Sequence, residues 1–536
     1  MEQARHKRLY ALHEWSGLVC GVFLFMVSFT GTVAMFYDEF RFWETVELRE
    51  VAFTGTPVAP DPLIERHLAS YPESTTFENL FLSLPTEHGG YYALFGQAVM
   101  PAVGEEPAAR EPIEVHWHAG TGERLDDRGH GLSHWLRDIH RDLMLPNRTI
   151  GRFLVGVAGL VMLVSIVSGI FTHQKILKEL FTLRVGRSKR LQWKDAHNAL
   201  GAWALPFHAM IAFSGAYLGL VVILLPIFAF GAFKGDQAAA IEAVIGKTPE
   251  AAGVAAPAYP IAKVVAAAEA DSGYQATSVR LLHYGDANAR YEAFVTVDDR
   301  LKISDSLSYS GTTGEAVANL GPAARDSTVP EIILNALVAL HYATYGGIWL
   351  KVLYIGLGGV LCVMIGTGLM VWVERRANGP VGRHSPASYA LMGRFNTGAM
   401  LGLPLATVAL FYIDRLVPVA AADRLTLIGT SYLGIWAVCA LLTCFIRDAR
   451  LSFCALLAAA GALGVGVLPL DAATLGNGAT LLDASQRNAL GLDLGLMLLG
   501  ALAIVVAKGL YPKPAVASTS TGGAFTRAVP QAPKRD

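Results

Sequence analysis

Residues 13–31 read HEWSGLVCGVFLFMVSFTG, and residues 197–215 read HNALGAWALPFHAMIAFSG. Each opens on a histidine (His13, His197), carries a glycine four residues on (Gly17, Gly201) and closes on Phe-Thr-Gly31 or Phe-Ser-Gly215. No gap is needed to align them. Both are apolar over a length that crosses a hydrocarbon core, which takes about 20 residues. An internal repeat of this kind sets the architecture and is read before anything else.

The repeat extends outward from these two stretches. Residues 163–169 read LVSIVSG and residues 362–368 read CVMIGTG, and upstream of them lie Ile139-His140 and Leu340-His341. A Thr-Gly-Glu occurs in each intervening polar segment, at Thr121-Gly122-Glu123 and Thr313-Gly314-Glu315. The unit is helix, polar domain, helix, used twice in one orientation. Such tandem units are related by an axis along the membrane normal.

Composition agrees. Charged residues make up 16% and hydrophobic ones 53% of the 536 residues, against about 25% charged in soluble domains. The net charge of -1 excludes a nucleic-acid partner, which would require a basic excess. The five cysteines (Cys20, Cys362, Cys439, Cys444, Cys454) sit in apolar runs without a CxxC pair. They read as small hydrophobes rather than as ligands or disulfides. The first apolar run lacks a small-residue cleavage site and reads as an anchor.

The expected fold class is an α-helical polytopic membrane protein of about eight spans, with two small α+β domains and a tandem parallel repeat in the first four spans. The chain divides into a first span (1–37), a polar domain (38–147), a second span (148–173), a basic loop (174–196), a third span (197–230) and a second polar domain (231–331). There follow a fourth span with a preceding interfacial helix (332–376), four additional spans (393–510) and a tail (511–536) whose Ala, Ser, Thr, Gly and Pro content reads as disordered. Lys and Arg concentrate in every second short loop: Arg5, Lys7 and Arg8; Lys175 to Lys194; Arg375, Arg376 and Arg383; Arg447 and Arg450; Lys508 and Lys513. The positive-inside rule then puts both termini in the cytoplasm and both polar domains outside, at a bacterial inner membrane.

Each polar domain opens with a short helix, near 62–71 and 260–271. Strands follow near 79–84, 91–95 and 113–118, and near 278–284, 290–296 and 302–308. A helix on a small antiparallel sheet is the expected form of each. His116 and His118 share one face of a strand and are a candidate metal pair, with a half-exposed strand face as the plainer reading.

Ionisable groups at membrane depth are functional candidates by default. His13 and His197 lie at the cytoplasmic ends of spans one and three, and His140 and His341 lie outside, just ahead of spans two and four. His208 follows His197 by eleven residues, about three turns, so on a straight helix the two face one way roughly 16 Å apart. Imidazoles from facing helices, an apolar pocket and small residues are what b-type haem needs in a bundle. The repeat pairs His13 with His197 and His140 with His341 and implies two haems, one near each face. A lone interfacial histidine is more often a hydrogen-bonded side chain; matching histidines at both ends of both copies change that balance. For His208 a buried hydrogen bond is the rival reading. His173 aligns with Trp372, and an interfacial anchor explains both. His134 reads as surface. Arg152 and Lys351 are candidates for haem propionates or snorkelling anchors. Spans five to eight contain no histidine and read as a supporting bundle.

These motifs (His13-x-x-x-Gly17, His197-x-x-x-Gly201, the Ser/Thr-Gly pairs, Ile139-His140 with Gly151-Arg152, and Trp372 with Arg375-Arg376) resemble the PepSY-associated transmembrane helix family over about residues 8–376. The resemblance implies cystatin-like PepSY domains in the periplasm. Its ferric-siderophore reductases are dihaem enzymes that release iron as Fe(II). On that reading the partners are a ferric siderophore or other ferric chelate, a membrane quinol or separate cytoplasmic electron donor, and the lipid bilayer. No nucleotide-binding motif is present. The alternative is a non-catalytic PepSY membrane module that binds peptides or regulates a protease, which leaves the repeated histidines without work. A proton-relay transporter is poorly furnished, since Asp414 and Asp493 are the main acidic residues in the spans and lie outside the repeat.

Overall fold

The computed structural model describes residues 3–512 except 50, 52, 54, 86–88, 103–108, 127–128, 130, 174–177, 179–180, 182–183, 185–187, 246–248, 296–304, 318–328, 378–384, 420, 422, 476–479, 481 and 484–485. Lys175, Arg187, Arg383, Lys513, the start of the strand expected at 302–308 and nearly all of the tail lie outside these. Among the described residues, seven helices are long and apolar enough to cross a membrane. With helices numbered in chain order they are α1 (Gln3–Ala34), α6 (Arg148–Thr172), α12 (Gly347–Ala377), α13 (Pro386–Leu416), α14 (Arg424–Phe445), α15 (Ala449–Thr474) and α16 (Arg487–Leu510). The chain is a multi-pass membrane protein. Helices dominate because lipid offers no partner for backbone N–H and C=O groups, so each must be satisfied within its own segment. Exposed ends are closed by side chains: Asn147 accepts from the amides of Thr149 and Ile150 at the start of α6, and Asp448 from those of Arg450 and Leu451 at the start of α15.

The third expected span is not one straight helix. α7 (Lys189–Trp203) and α8 (Leu205–Phe233) meet at a bend of 73°. Pro206 causes it. A proline ring has no N–H to donate and collides with the carbonyl four residues back, here that of Ala202. The helix restarts from the Ala204 carbonyl, which accepts from the His208 amide at 2.9 Å. Counted as one span, this pair would be an eighth.

The shorter helices are α2 (Tyr37–Glu44), α3 (Val46–Arg49), α4 (Asp61–Leu68), α5 (Gly131–Asp142), α9 (Gln237–Ile245), α10 (Ile261–Ser272) and α11 (Val329–Tyr342). The strands are β1 (Thr76–Ser83), β2 (Tyr91–Met100), β3 (Ala109–His118), β4 (Arg124–Leu125), β5 (Ala276–Leu282), β6 (Arg290–Val295) and β7 (Asp305–Ser310). They form one antiparallel sheet in the order β4-β3-β2-β1-β5-β6-β7. The two polar segments therefore share a sheet instead of building one each. Their seam is β1 against β5, with Leu80 opposite Leu281 and Leu82 opposite Val279. α4 and α10 bury Ile64, Ile261 and Val264 against the sheet face that carries Leu82, Leu94, Val279 and Tyr291. Asp61 of α4 accepts the Ile261 amide at the start of α10, at 3.0 Å.

Two histidines of the sheet go separate ways. His116 is buried between the Tyr91 and Phe95 rings. His118 uses Nδ1 to accept the amides of Gly120 and Thr121 and so closes a turn. Among the described residues no group of three or more His, Cys, Asp or Glu is placed to hold a metal ion. His134 is half-buried rather than on the surface, with its ring edge-on to Tyr37.

Candidate functional site

The structure brings four of the six candidate histidines together in two pairs. His13 of α1 faces His197 of α7, with ring centres 6.0 Å apart and planes at 61°. His140 of α5 faces His341 of α11, with centres 6.3 Å apart and planes at 19°. These separations exceed face-to-face contact. Two imidazole nitrogens on one metal, at about 2.0–2.1 Å each and about 1.1 Å from nitrogen to ring centre, put the centres about 6.2–6.4 Å apart.

The outer nitrogen of every ring is tied down. His13 Nδ1 meets the Ser165 carbonyl at 2.8 Å, His197 Nδ1 the Met364 carbonyl at 2.8 Å, and His140 Nδ1 the Val27 carbonyl at 3.0 Å. A carbonyl only accepts, so these Nδ1 atoms carry the proton. His341 Nδ1 lies 3.0 Å from Ser214 Oγ. Ser214 spends its single proton on the Met210 carbonyl at 2.8 Å, so it too accepts from Nδ1. Each ring is left with its Nε2 lone pair, and among the described residues none of the four Nε2 atoms makes a hydrogen bond. Metal-binding histidines are held in this manner, by a second-shell acceptor that fixes tautomer and orientation.

Glycines seat the rings. A Cβ added at Gly169 would lie 3.1 Å from His13 Cε1, one at Gly368 3.0 Å from His197 Cε1, one at Gly31 2.7 Å from His140 Cε1 and one at Gly215 3.1 Å from His341 Cε1. Four glycines of the repeated motifs thus serve the imidazoles. Gly17 and Gly201 line a cavity of about 580 Å³ between the first four spans, as do Gly169 and Gly368. A Cβ at Gly17 would meet nothing within 4 Å.

His13 and His197 project into that cavity, and His173 and His208 line it too. The bend at Ala204 removes the straight-helix spacing expected between His197 and His208. His208 sits in the first turn of α8, 1% exposed, and its Nε2 has no hydrogen-bond partner among the described residues. His173 ends α6 as its C-cap. Lys194 and Arg375 also line the cavity, the latter donating to Tyr10 Oη at 2.7 Å and lying 3.7 Å from the Glu14 carboxylate. Sequence reading used Lys194 only as a topology marker and Arg375 as that and as part of the Trp372 with Arg375-Arg376 motif; their closeness in sequence to His197 and to the end of span four was the available signal. Of the two basic residues it had singled out, Lys351 is paired with Glu39 at 2.6 Å and Arg152 is exposed.

The pairs can do limited things chemically. Each offers only two nitrogens, so a metal held there must bring its remaining ligands with it, as a planar macrocycle does. An apolar layer of Leu24, Ala158, Met162, Ala212 and Leu361 lies between the two ends. Along α1, His13 and the Gly31 that touches His140 are separated by 18 residues, about 27 Å of helix.

A Pseudomonas aeruginosa protein described as uncharacterised is 28% identical over 388 residues, covering 69% of this chain and 92% of that protein. The family described as the PepSY-associated TM region matches residues 10–375, from the turn before His13 to Arg375 near the end of α12, and stops before α13. With more than half its length inside that match, the chain belongs to the family of the PepSY-associated TM region.

Proposed function

We propose that this protein binds two b-type haems and reduces a ferric chelate, most readily a ferric siderophore, with electrons drawn from a membrane quinol or a cytoplasmic donor. The carrying observation is the pair of imidazole couples, each 6.0–6.3 Å between ring centres, with Nδ1 tied and Nε2 turned free. Haem, when bound, supplies a one-electron iron couple tuned by its axial ligands and burial. His13 and His197 hold one group, and His140 and His341 hold the other. Ser165, Met364, Val27 and Ser214 orient those rings. Gly17 and Gly201 keep the backbone clear of a flat ligand, and Lys194, with Arg375 beside Glu14, offers positive charge to ligand carboxylates in the cavity lining. His173 and His208 line the cavity without an assigned iron.

The reading includes a tandem repeat. Ser165 and Met364 occupy equivalent positions in LVSIVSG and CVMIGTG, as do Gly169 and Gly368, and they make equivalent contacts. The two polar segments are then PepSY-like domains in the periplasm, and both termini are cytoplasmic at an inner membrane. A ferric chelate that gains one electron becomes Fe(II), a softer and less charged ion held weakly by oxygen ligands, and the metal is released.

The test is a reduced-minus-oxidised visible spectrum of the purified chain with pyridine haemochrome quantification. Two six-coordinate b haems per chain, oxidised on mixing with a ferric chelate, support the proposal. A colourless, folded protein overturns it and leaves a PepSY binding module.

A further inference from the structure

The four helices beyond the family match bring no histidine to either pair, yet they end on a fully buried polar cluster. Arg49 of α3 makes a bidentate ion pair with Asp471 of α15, at 2.7 and 2.9 Å, and donates to Gln486 at 2.9 Å. Both side chains of that pair are 0% exposed. Arg415 of α13 lies over the Trp43 ring at 3.9 Å and donates to the carbonyls of Trp43 and Glu44 at 2.9 Å each. Trp43 Nε1 donates to Asp493 of α16 at 2.8 Å, and Arg424 of α14 donates to Asp414 at 2.6 Å. The elbow between α2 and α3 is therefore bonded to all of α13, α15 and α16.

That elbow holds α5. The Glu44 carboxylate accepts the amides of Leu132 and Ser133 at 2.8 and 3.1 Å, together with the Ser133 hydroxyl. It supplies the negative charge that a helix N-terminus favours, from outside the helix. From the other flank, Arg424 and Ile428 of α14 lie against Gly131, and Gly429 lies against the Trp135 ring. Two turns beyond Leu132, α5 carries His140. A buried ion cluster is weak evidence for stability, because desolvation offsets most of its Coulomb gain; its attested use is to fix one arrangement among several.

We infer that the C-terminal four-helix bundle is a positioning device for one ligand arm: through Arg49, Asp471 and Glu44 it sets the placement of His140 and hence of the His140–His341 pair. Glu44, Arg49 and Asp471 are positioning residues that touch neither imidazole. The inference rests on the haem reading above.

The experiment uses the full chain in nanodiscs, with low-temperature EPR and a redox titration to resolve the two haem components. His140→Ala identifies which component belongs to His140. In Glu44→Gln and Arg49→Gln we expect that component to shift in potential and g-values and to bind haem about 10- to 100-fold more weakly, as loss of outer-shell partners does elsewhere. The His13–His197 component stays unchanged and reports that the protein is folded. If Arg49→Gln does not yield folded protein, Glu44→Gln decides, since it leaves the Arg49–Asp471 and Arg424–Asp414 pairs in place. Two haem components that are unaltered in Glu44→Gln, or altered equally, overturn the inference. A wild-type chain without haem overturns the earlier reading instead.

Discussion

α5 and α11 present His140 and His341 to one another, but the molecule holds them differently. α5 is gripped by α1, α2, α6 and α14. Its N-terminus rests on Glu44, and its Asp138 carries ion pairs to Arg137, Arg141 and Arg148 at 2.6–3.2 Å. Its imidazole donates to a backbone carbonyl. α11 packs on α8 and α9 and leans its imidazole on a serine hydroxyl. Equivalent arms thus need not be equally rigid. One arm, α5, has been reinforced by packing against α13 and α14 of the C-terminal bundle.

The largest effect should ignore the difference. His140→Ala and His341→Ala remove the same station, so each should cost one of two haems by pyridine haemochrome while the His13–His197 component persists. Unequal haem loss between the two would mean that the pair is not a shared site. The next test acts on one arm alone. Gly429→Leu drives a side chain into the Trp135 ring, and overpacking of this kind costs about 1–3 kcal/mol. Thermal unfolding should fall accordingly, and the His140–His341 signal should broaden; a change confined to the inner component would break the comparison. The smallest test reads the seats directly. Gly31→Ala places a methyl 2.7 Å from His140, against 3.1 Å from His341 for Gly215→Ala. An imidazole pushed off its rotamer loses about 0.5–1.5 kcal/mol. Gly31→Ala should perturb the spectrum of that station more, and the reverse order would show that the α5 arm is the more yielding one.

Much of this was legible in sequence because it depends on periodicity. The spans follow from apolar length, and the four ligand candidates from two copies of one motif. The partners of Nδ1 were not legible. Three of them are backbone carbonyls, of Val27, Ser165 and Met364, and every residue has one; only the crossing of helices selects it. The bend at Ala204 was signalled by Pro206 and was outweighed by the unbroken apolar run around it. Lys351 and Arg152 were singled out for their position near helix ends, where an ion pair with Glu39 or open solvent serves as well as a ligand carboxylate. The role expected for spans five to eight, a supporting bundle, named no contact, since Arg49 and Asp471 are 422 residues apart.

By itself, then, the sequence determined the membrane class and the two copies of the histidine motif, because hydrophobic length and a gapless motif are local properties of the chain. Tertiary structure alone decided that the two polar segments share one sheet through Leu80 and Leu281, and that the rings meet 6.0 and 6.3 Å apart with Nε2 free. It also decided that an appended bundle grips the helix of His140. Each of these rests on contacts between residues distant in the chain. Such contacts are chosen by packing and by the need to satisfy every buried polar group, and neither leaves a pattern along the sequence.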